Sequence, residues 1–259
     1  MTPAGPALAA VHATSGIVLP HIDYGAILPE LILLGGVLLL VGISAMTSRQ
    51  PPTGVYAAAT VGIAVGALVA SLRLWRHLQQ HGAFTTVAHS VDVDGFAVYF
   101  LVLVSSVLVV AAILGAGYLR REGIAGCEYY ALALISGSGA MLMASANDLI
   151  LIFLALEVLS IPLYVMAGFD RRRTTSQEAA IKYFVLGAFS SAVFVYGIAL
   201  VYGATGSTNL AEIGAFLAHN VITANGVLLA GIALLLVGFS FKVAAVPFHM
   251  WTPDVYQGA

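Results

Sequence analysis

The chain has 259 residues, of which 60% are hydrophobic and only 8% are charged. Soluble domains carry about 25% charged residues, so the composition excludes a soluble globular class and predicts an all-α, polytopic membrane protein. The net charge of −2 gives no electrostatic basis for binding nucleic acid.

Seven apolar segments are long enough to cross a bilayer, which takes about 20 mostly apolar residues. They lie at residues 24–46, 53–75, 95–119, 129–146, 149–169, 179–203 and 226–246. The long loops at 76–94 and 204–225 are interpreted as ordinary connections, the second with a short surface helix at Leu210–His219. The sequence therefore divides into an N-terminal outer segment (1–23), three transmembrane helices (24–124) and a second block holding helices four to seven (125–259).

Arginines in the loops predict the orientation, because cytoplasmic loops carry an excess of Lys and Arg. The first, third and fifth loops hold Arg49, Arg120, Arg121, Arg171, Arg172 and Arg173. The second, fourth and sixth loops, with their span ends, hold only Arg73 and Arg76. We therefore expect the N-terminus outside and the end of the seventh span in the cytoplasm. A composition rich in Ala, Gly and Val, with few Lys, favours a bacterial plasma membrane.

Three ionisable residues fall inside the predicted spans, namely Glu157, Lys182 and Lys242. A charge at the bilayer centre costs about 2.5–3.5 kcal/mol on insertion scales, so these side chains should face the bundle interior or a wet cavity. Glu157 and Lys242 have opposite charges, and an ion pair between them is the least costly arrangement. Such a pair either joins two helices structurally or acts as a proton switch, since a lysine whose carboxylate partner moves away gives up its proton more readily. Lys182 either snorkels to the interface or exchanges a proton with Lys242.

Two prolines follow the charged residues at the same spacing, five positions after each. Pro162 follows Glu157, and Pro247 follows Lys242. A proline removes one backbone hydrogen bond, and broken helices in membranes line cavities. We therefore predict helix breaks at both prolines, with a simple kink as the alternative. His249 is a candidate proton relay, although a lone histidine is more often structural.

Redox cofactors are not expected in this chain. The sequence has no glycine-rich phosphate loop, no Cys-x-x-Cys and no pair of histidines suited to haem within a span. We also expect no metal site, because the histidines show no ligand spacing together with carboxylates.

The stretch "FKVAAVPFHMWTPDVYQGA" at 241–259 resembles the family of subunit N of proton-pumping NADH:quinone oxidoreductase, respiratory complex I, and its mitochondrial relative NADH dehydrogenase subunit 2. The stretches "NDLILIFLALEVLSIPLYVMAGFDRRR" at 147–173 and "LPELILLGG" at 28–36 are similar to the same family. The resemblance implies an antiporter-like fold of two inverted repeats. This chain would then be an N-terminal fragment, with 125–259 an incomplete proton-translocating domain whose seventh helix is broken by proline.

The resemblance also implies a role for the chain and its residues. It implies a membrane-arm subunit that couples electron transfer from NADH to quinone to proton translocation. Glu157, Lys182 and Lys242 would transfer protons, and NADH, FMN, iron–sulfur clusters and quinone would be bound by other subunits. The expected partners are the antiporter-like subunit M, small membrane subunits and the bilayer. The alternatives are a subunit of a multisubunit sodium/proton antiporter or membrane-bound hydrogenase, or a scaffold subunit that does not pump.

Overall fold

The computed structural model describes residues 22–47, 51–124, 126–220 and 225–259. Within these ranges the chain forms nine helices and one two-stranded hairpin. In chain order the elements are α1 (Leu28–Met46), α2 (Thr53–His81), β1 (Phe84–Thr86), β2 (Val91–Val93), α3 (Gly95–Arg121), α4 (Glu128–Ala144), α5 (Leu149–Ala167), α6 (Thr174–Thr205), α7 (Leu210–His219), α8 (Gly226–Lys242) and α9 (Thr252–Gly258). The predicted outer segment 1–23, apart from its last two residues, and Arg49 lie outside the described residues.

Five helices in the described part of the chain are long and apolar enough to cross a membrane: α1, α2, α3, α5 and α6. The fourth and seventh predicted spans correspond to α4 and α8, which have 17 residues each. The chain is thus a mostly helical, multi-pass membrane protein, with two fewer helices of spanning length than the sequence predicted.

Apolar side chains form three clusters that hold the helices together. The largest joins α1 to α4 with the hairpin and includes Leu33, Tyr56, Leu101 and Leu134. The other two join α5 with α6, α8 and the short helices α7 and α9. The backbones of α6 and α8 approach closely, because a Cβ added at Gly197 would lie 2.9 Å from the backbone nitrogen of Leu235. Small residues permit such approach of membrane helices.

The connection between α2 and α3 is a β-hairpin, which the all-α prediction missed. Phe84 pairs with Val93, and Thr86 pairs with Val91. Strands of three residues are too short to show an alternating pattern in the sequence. The turn between them holds three consecutive left-handed residues, Val87, Ala88 and His89, with φ of 52°, 53° and 63°. The predicted surface helix Leu210–His219 is confirmed with the same bounds.

The hairpin turn is tied to two other loops on the same side of the bundle. Asn147 donates its backbone N–H to the Ser90 carbonyl at 2.7 Å. The side-chain amides of Asn147 and Asn209 both donate to the His89 carbonyl, at 3.2 and 3.1 Å. These bonds connect the α2–α3, α4–α5 and α6–α7 loops, so the long loops are joined to one another and are not separate connections.

Candidate functional site

The helix α8 ends at Lys242, within an otherwise apolar segment. The backbone N–H of Val243 still bonds to the Phe239 carbonyl at 3.0 Å, but Ala244 has a left-handed φ of 52°. The chain then turns through the cis Val246–Pro247 bond before α9 begins at Thr252. Lys242 therefore lies at a helix C-terminus, where unpaired carbonyls favour a positive charge.

Pro162 does not break its helix, contrary to the prediction from the sequence. α5 runs without interruption from Leu149 to Ala167. It packs closely against α4, since a Cβ added at Gly139 would lie 2.4 Å from the Leu159 backbone nitrogen, and the Ser136 hydroxyl donates to the Leu159 carbonyl at 2.9 Å. A proline removes only one hydrogen bond, and a well-packed membrane helix tolerates that loss.

Glu157 lies on α5, with its carboxylate directed toward α6. The Ser191 hydroxyl donates to its Oε1 at 2.5 Å. Glu157 is half-buried and lines an open groove of about 490 Å³ between α5 and α6, together with Phe153, Ala188 and Tyr196. The acid is therefore held by a hydroxyl while one side of it remains accessible.

Lys242 bonds to two hydroxyl groups of α5 rather than to Glu157. Its Nζ donates to the Ser160 Oγ and to the Tyr164 hydroxyl, the latter at 3.1 Å, and lies 5.2 Å from the centre of the Tyr164 ring. Ser160 is fully buried and Tyr164 is 5% exposed. No salt bridge joins Glu157 and Lys242 in the described ranges. The predicted direct ion pair is replaced by hydroxyl groups, which solvate each charge separately.

Lys182 lies away from this pair, near the start of α6. Its Nζ is 2.6 Å from Asp254 of α9 and 2.6 Å from Glu178, one turn earlier on α6. The side chain is 42% exposed. Lys182 therefore bridges α6 and α9, and does not snorkel as an isolated charge.

His249 is exposed in the turn between α8 and α9. Its backbone carbonyl accepts a hydrogen bond from the Thr252 N–H at 3.0 Å. The structure gives its ring no hydrogen-bonding partner among the residues it describes, so the predicted relay has no contact to Lys242 in this conformation.

Sequence reasoning missed the hydroxyl groups that hold the two charges. Ser160 and Tyr164 follow Glu157 by three and seven positions, which places all three on one face of α5. That spacing was a usable signal. Ser191 belongs to a run of small residues that is typical of helix packing, and nothing in the run singled out Ser191. The residues that the structure describes include no group of three His, Cys, Asp or Glu side chains placed to bind a metal ion.

The two loops on the arginine-rich face are connected by Arg172. Its Nε lies 2.9 Å from Asp170, and its Nη2 donates to the Glu122 carbonyl at 2.7 Å. The hydrogen bond from Arg172 holds the pKa of the Asp170 carboxyl below its ordinary value. This contact joins the α3–α4 and α5–α6 connections on the opposite face from the hairpin.

Comparisons with known proteins agree on one group. The family described as NADH:quinone oxidoreductase/Mrp antiporter, transmembrane region, matches residues 146–259, which include every ionisable residue of the site. NADH-quinone oxidoreductase subunit N 2 of Koribacter versatilis is 39% identical over 93% of this chain and 49% of its own length. The chain spans about half the length of the curated relatives it matches.

Solved structures give the same fold. A chain of respiratory complex I from Thermus thermophilus with bound aureothin matches with a TM-score of 0.70 and 35% identity, over 90% of this chain and 47% of that one. A chain of the archaeal membrane-bound sulfane sulfur reductase matches with a TM-score of 0.78 and 23% identity, over 92% of this chain and 48% of that one. The second likeness concerns the fold alone.

Proposed function

We propose that this chain is a proton-translocating part of the membrane arm of a respiratory NADH:quinone oxidoreductase. Its similarity to NADH-quinone oxidoreductase subunit N, over about half of that subunit's length, supports the proposal. Quinone reduction by NADH would take place in other subunits, which would bind FMN and the iron–sulfur clusters. The proposed neighbours are an antiporter-like subunit M and small membrane subunits.

One observation carries this proposal: two opposite charges lie within the helical bundle, each held by its own hydroxyl partners. Glu157 bonds to Ser191, and Lys242 bonds to Ser160 and Tyr164 at the end of α8. Each charge is satisfied without the other, so the pair is open in this conformation. An open pair that closes and reopens would transfer a proton, because the lysine holds its proton best beside the acid.

The helix bounds and the loop arginines support a topology for the proposed subunit. We place α4 and α8 as the fourth and seventh spans, because about 17 residues is the lower limit for crossing a bilayer. The N-terminus would lie outside a bacterial plasma membrane, with Arg120, Arg121 and the 171–173 arginines on the cytoplasmic face. Residues 125–259 would form part of an antiporter-like domain that a second, inverted repeat completes.

Lys182 and His249 are proposed as further members of the proton path. Lys182 would exchange a proton with Lys242. It would first have to release Asp254 and Glu178, which both contact its ammonium. His249 would act from the exposed turn after α8, on the side of the arginine-rich loops.

The experiment that tests the function replaces Lys242 in the assembled complex that contains this subunit. Lys242→Met keeps the length of the side chain but cannot carry a proton, and Lys242→Arg keeps the charge but does not give up its proton. NADH-driven quinone reduction and proton uptake are recorded together in sealed membrane vesicles. We expect both variants to lose pumping, while Arg76→Met, at the exposed end of α2, retains it. Full pumping by Lys242→Met would contradict the proposal and favour a scaffold role.

A sodium/proton antiporter subunit is the second candidate, because the matching family also includes Mrp antiporters. The same vesicles distinguish the two functions. Sodium-driven proton movement without NADH would support the antiporter, whereas proton movement that requires NADH would support the oxidoreductase.

A further inference from the structure

The ammonium of Lys242 is bonded to two hydroxyl groups on α5, at positions that the sequence analysis did not single out. Ser160 accepts one hydrogen bond from Nζ while donating its own hydrogen to the Leu156 carbonyl. The Tyr164 hydroxyl accepts a second bond at 3.1 Å. Hydrogen bonds from a charged donor are stronger than neutral ones, and both acceptors are buried. The contact is therefore a defined position for the ammonium and not a chance approach.

The same face of α5 carries the acid. Glu157, Ser160 and Tyr164 are separated by three and four residues, so they lie above one another on the helix. At a rise of about 1.5 Å per residue, Ser160 lies about 4.5 Å along the axis from Glu157 and Tyr164 about 10.5 Å. The flexible side chain of a lysine can span one helical turn. Along α5, Ser160 lies between Tyr164, which Lys242 contacts here, and Glu157.

We propose that Ser160 and Tyr164 are positioning residues that hold the Lys242 ammonium away from Glu157 and so keep the charge pair open. Closing the pair requires Lys242 to leave the Tyr164 hydroxyl, with Ser160 as the intermediate contact. Ser191 holds the acid in the same way from α6, so both charges exchange one hydroxyl partner for each other. Closing the pair would replace two bonds to hydroxyl groups, one on each charge, by one ion pair between the charges. This inference rests on the proposed proton-translocating function.

The position of the Tyr164 hydroxyl is set by close packing from α6. A Cβ added at Gly187 would lie 2.2 Å from the Tyr164 hydroxyl oxygen, so the hydroxyl occupies space that only a glycine leaves free. The Tyr164 ring contacts the edge of the Tyr183 ring, with centroids 4.6 Å apart. Tyr183 in turn stacks on Trp251 at 4.7 Å.

The aromatic contacts link this hydroxyl to both sides of the break after α8. The Trp251 Nε1 donates to the Phe241 carbonyl at 3.1 Å, directly before Lys242. Tyr164 therefore connects, through Tyr183 and Trp251, to the residue that precedes the lysine. Among the described residues, the titratable groups that act on Lys242 are Tyr164, by a hydrogen bond, and Glu157, by its charge. Tyr183 of α6 contacts the Tyr164 ring, and Asp254 of α9 is engaged by Lys182.

The test compares hydroxyl deletions by the pH dependence of proton pumping in sealed vesicles of the assembled complex. Tyr164→Phe keeps the ring and removes the acceptor, and Ser160→Ala removes the second acceptor with a smaller change. We expect each to move the alkaline limb of the pumping profile to higher pH by about one unit, because an ammonium that is no longer held away from Glu157 lies more often beside the acid, where it keeps its proton best. Tyr183→Phe is the matched control, since it packs against the same ring without contacting Lys242, and its profile should equal the wild type.

The outcomes separate this inference from the proposed function. If Lys242→Met abolishes pumping but Tyr164→Phe, Ser160→Ala and their combination leave the pH profile unchanged, the hydroxyl groups do not position the lysine and only this inference fails. If Lys242→Met pumps normally, the proposed function itself fails. Ser160→Ala supplies the same readout if Tyr164→Phe does not assemble.

Discussion

Lys182 of α6 and Asp254 of α9 form an ion pair at 2.6 Å that ties the short helix after the break to the longest helix of the chain. Glu178 contacts the same ammonium at 2.6 Å. The backbones of the two helices are also close, because a Cβ added at Gly258 would lie 2.5 Å from the Thr175 carbonyl oxygen. The segment that follows Lys242 is thus fixed by charge and by packing.

Removing this ion pair should loosen α9 with only a modest effect on stability. We expect Asp254→Asn to lower the free energy of unfolding only slightly, since both partners are over one-third exposed. Thermal unfolding in detergent measures the change. Glu178→Gln, which leaves the contact between α6 and α9 in place, is the control. Equal effects of the two variants would contradict a specific role for Asp254.

Adding a methyl group at Gly187 should displace the Tyr164 hydroxyl. We expect Gly187→Ala to destabilise the protein by about 1–3 kcal/mol through overpacking and to reproduce the pH shift of Tyr164→Phe. Gly203→Ala on the same helix is the matched control, because nothing lies within 4 Å of a Cβ added there. A wild-type pH profile for Gly187→Ala would show that the helix adjusts without moving the hydroxyl.

Removing the Ser191 hydroxyl should bias the switch toward the closed pair. The hydrogen bond to a charged group contributes about 1.5–3 kcal/mol, so we expect Ser191→Ala to reduce proton pumping by about tenfold while Ser191→Thr retains most of it. The neighbouring Ser190 bonds to the Gly238 carbonyl instead, and Ser190→Ala serves as the control. Normal pumping by Ser191→Ala would mean that Glu157 does not depend on this donor.

The left-handed turn of the hairpin should depend on two asparagines. Consecutive left-handed residues other than glycine are strained, and the His89 carbonyl is fixed by the amides of Asn147 and Asn209. We expect Asn209→Ala to lower the free energy of unfolding by about 0.5–1.5 kcal/mol and to speed hydrogen exchange at residues 84–93. Asn220→Ala, whose amide bonds within α7, should leave that exchange unchanged.

The arginine-rich loops should show an acid-dependent contribution from Asp170. The Arg172 hydrogen bond lowers the pKa of Asp170 in the folded state, so the stabilisation is present above the ordinary aspartate pKa of 3.8 and is lost as the pH falls through the lowered value. Asp170→Asn should remove this dependence. The effect is small and weakens with salt, because the Arg172 side chain is exposed. Melting temperatures between pH 6 and pH 3 measure it, with Arg171→Gln as the control.

The helical framework could be predicted from the sequence. An apolar segment that crosses a bilayer must satisfy its backbone hydrogen bonds internally, and a helix does so. The predicted starts at residues 53, 95, 149 and 226 coincide with those of α2, α3, α5 and α8. The hairpin could not be predicted, since its strands have three residues each and its turn is held by asparagines from distant loops.

The charged residues of the site could be found in the sequence, because a charge inside a membrane span has an unfavourable free energy and is rare. The residues that hold these charges could not be predicted from the sequence. A proline follows the charged residue by five positions in both helices. α5 is nevertheless continuous at Pro162, because it packs against α4, whereas α8 ends five residues before Pro247. Serines such as Ser160 commonly bond to a carbonyl one turn back, so their second contact appears only in three dimensions.

The helix α6 carries Lys182, contacts Glu157 directly and reaches Lys242 through Tyr164. It carries Lys182 itself, the Ser191 hydroxyl that holds Glu157, and the Gly187 backbone against which the Lys242 partner Tyr164 rests. A rigid rotation or translation of α6 cannot change one of these three contacts and leave the others as they are. Any partner protein that moves this one helix would therefore alter the surroundings of both lysines and the acid in a single concerted event, with no separate signal to each.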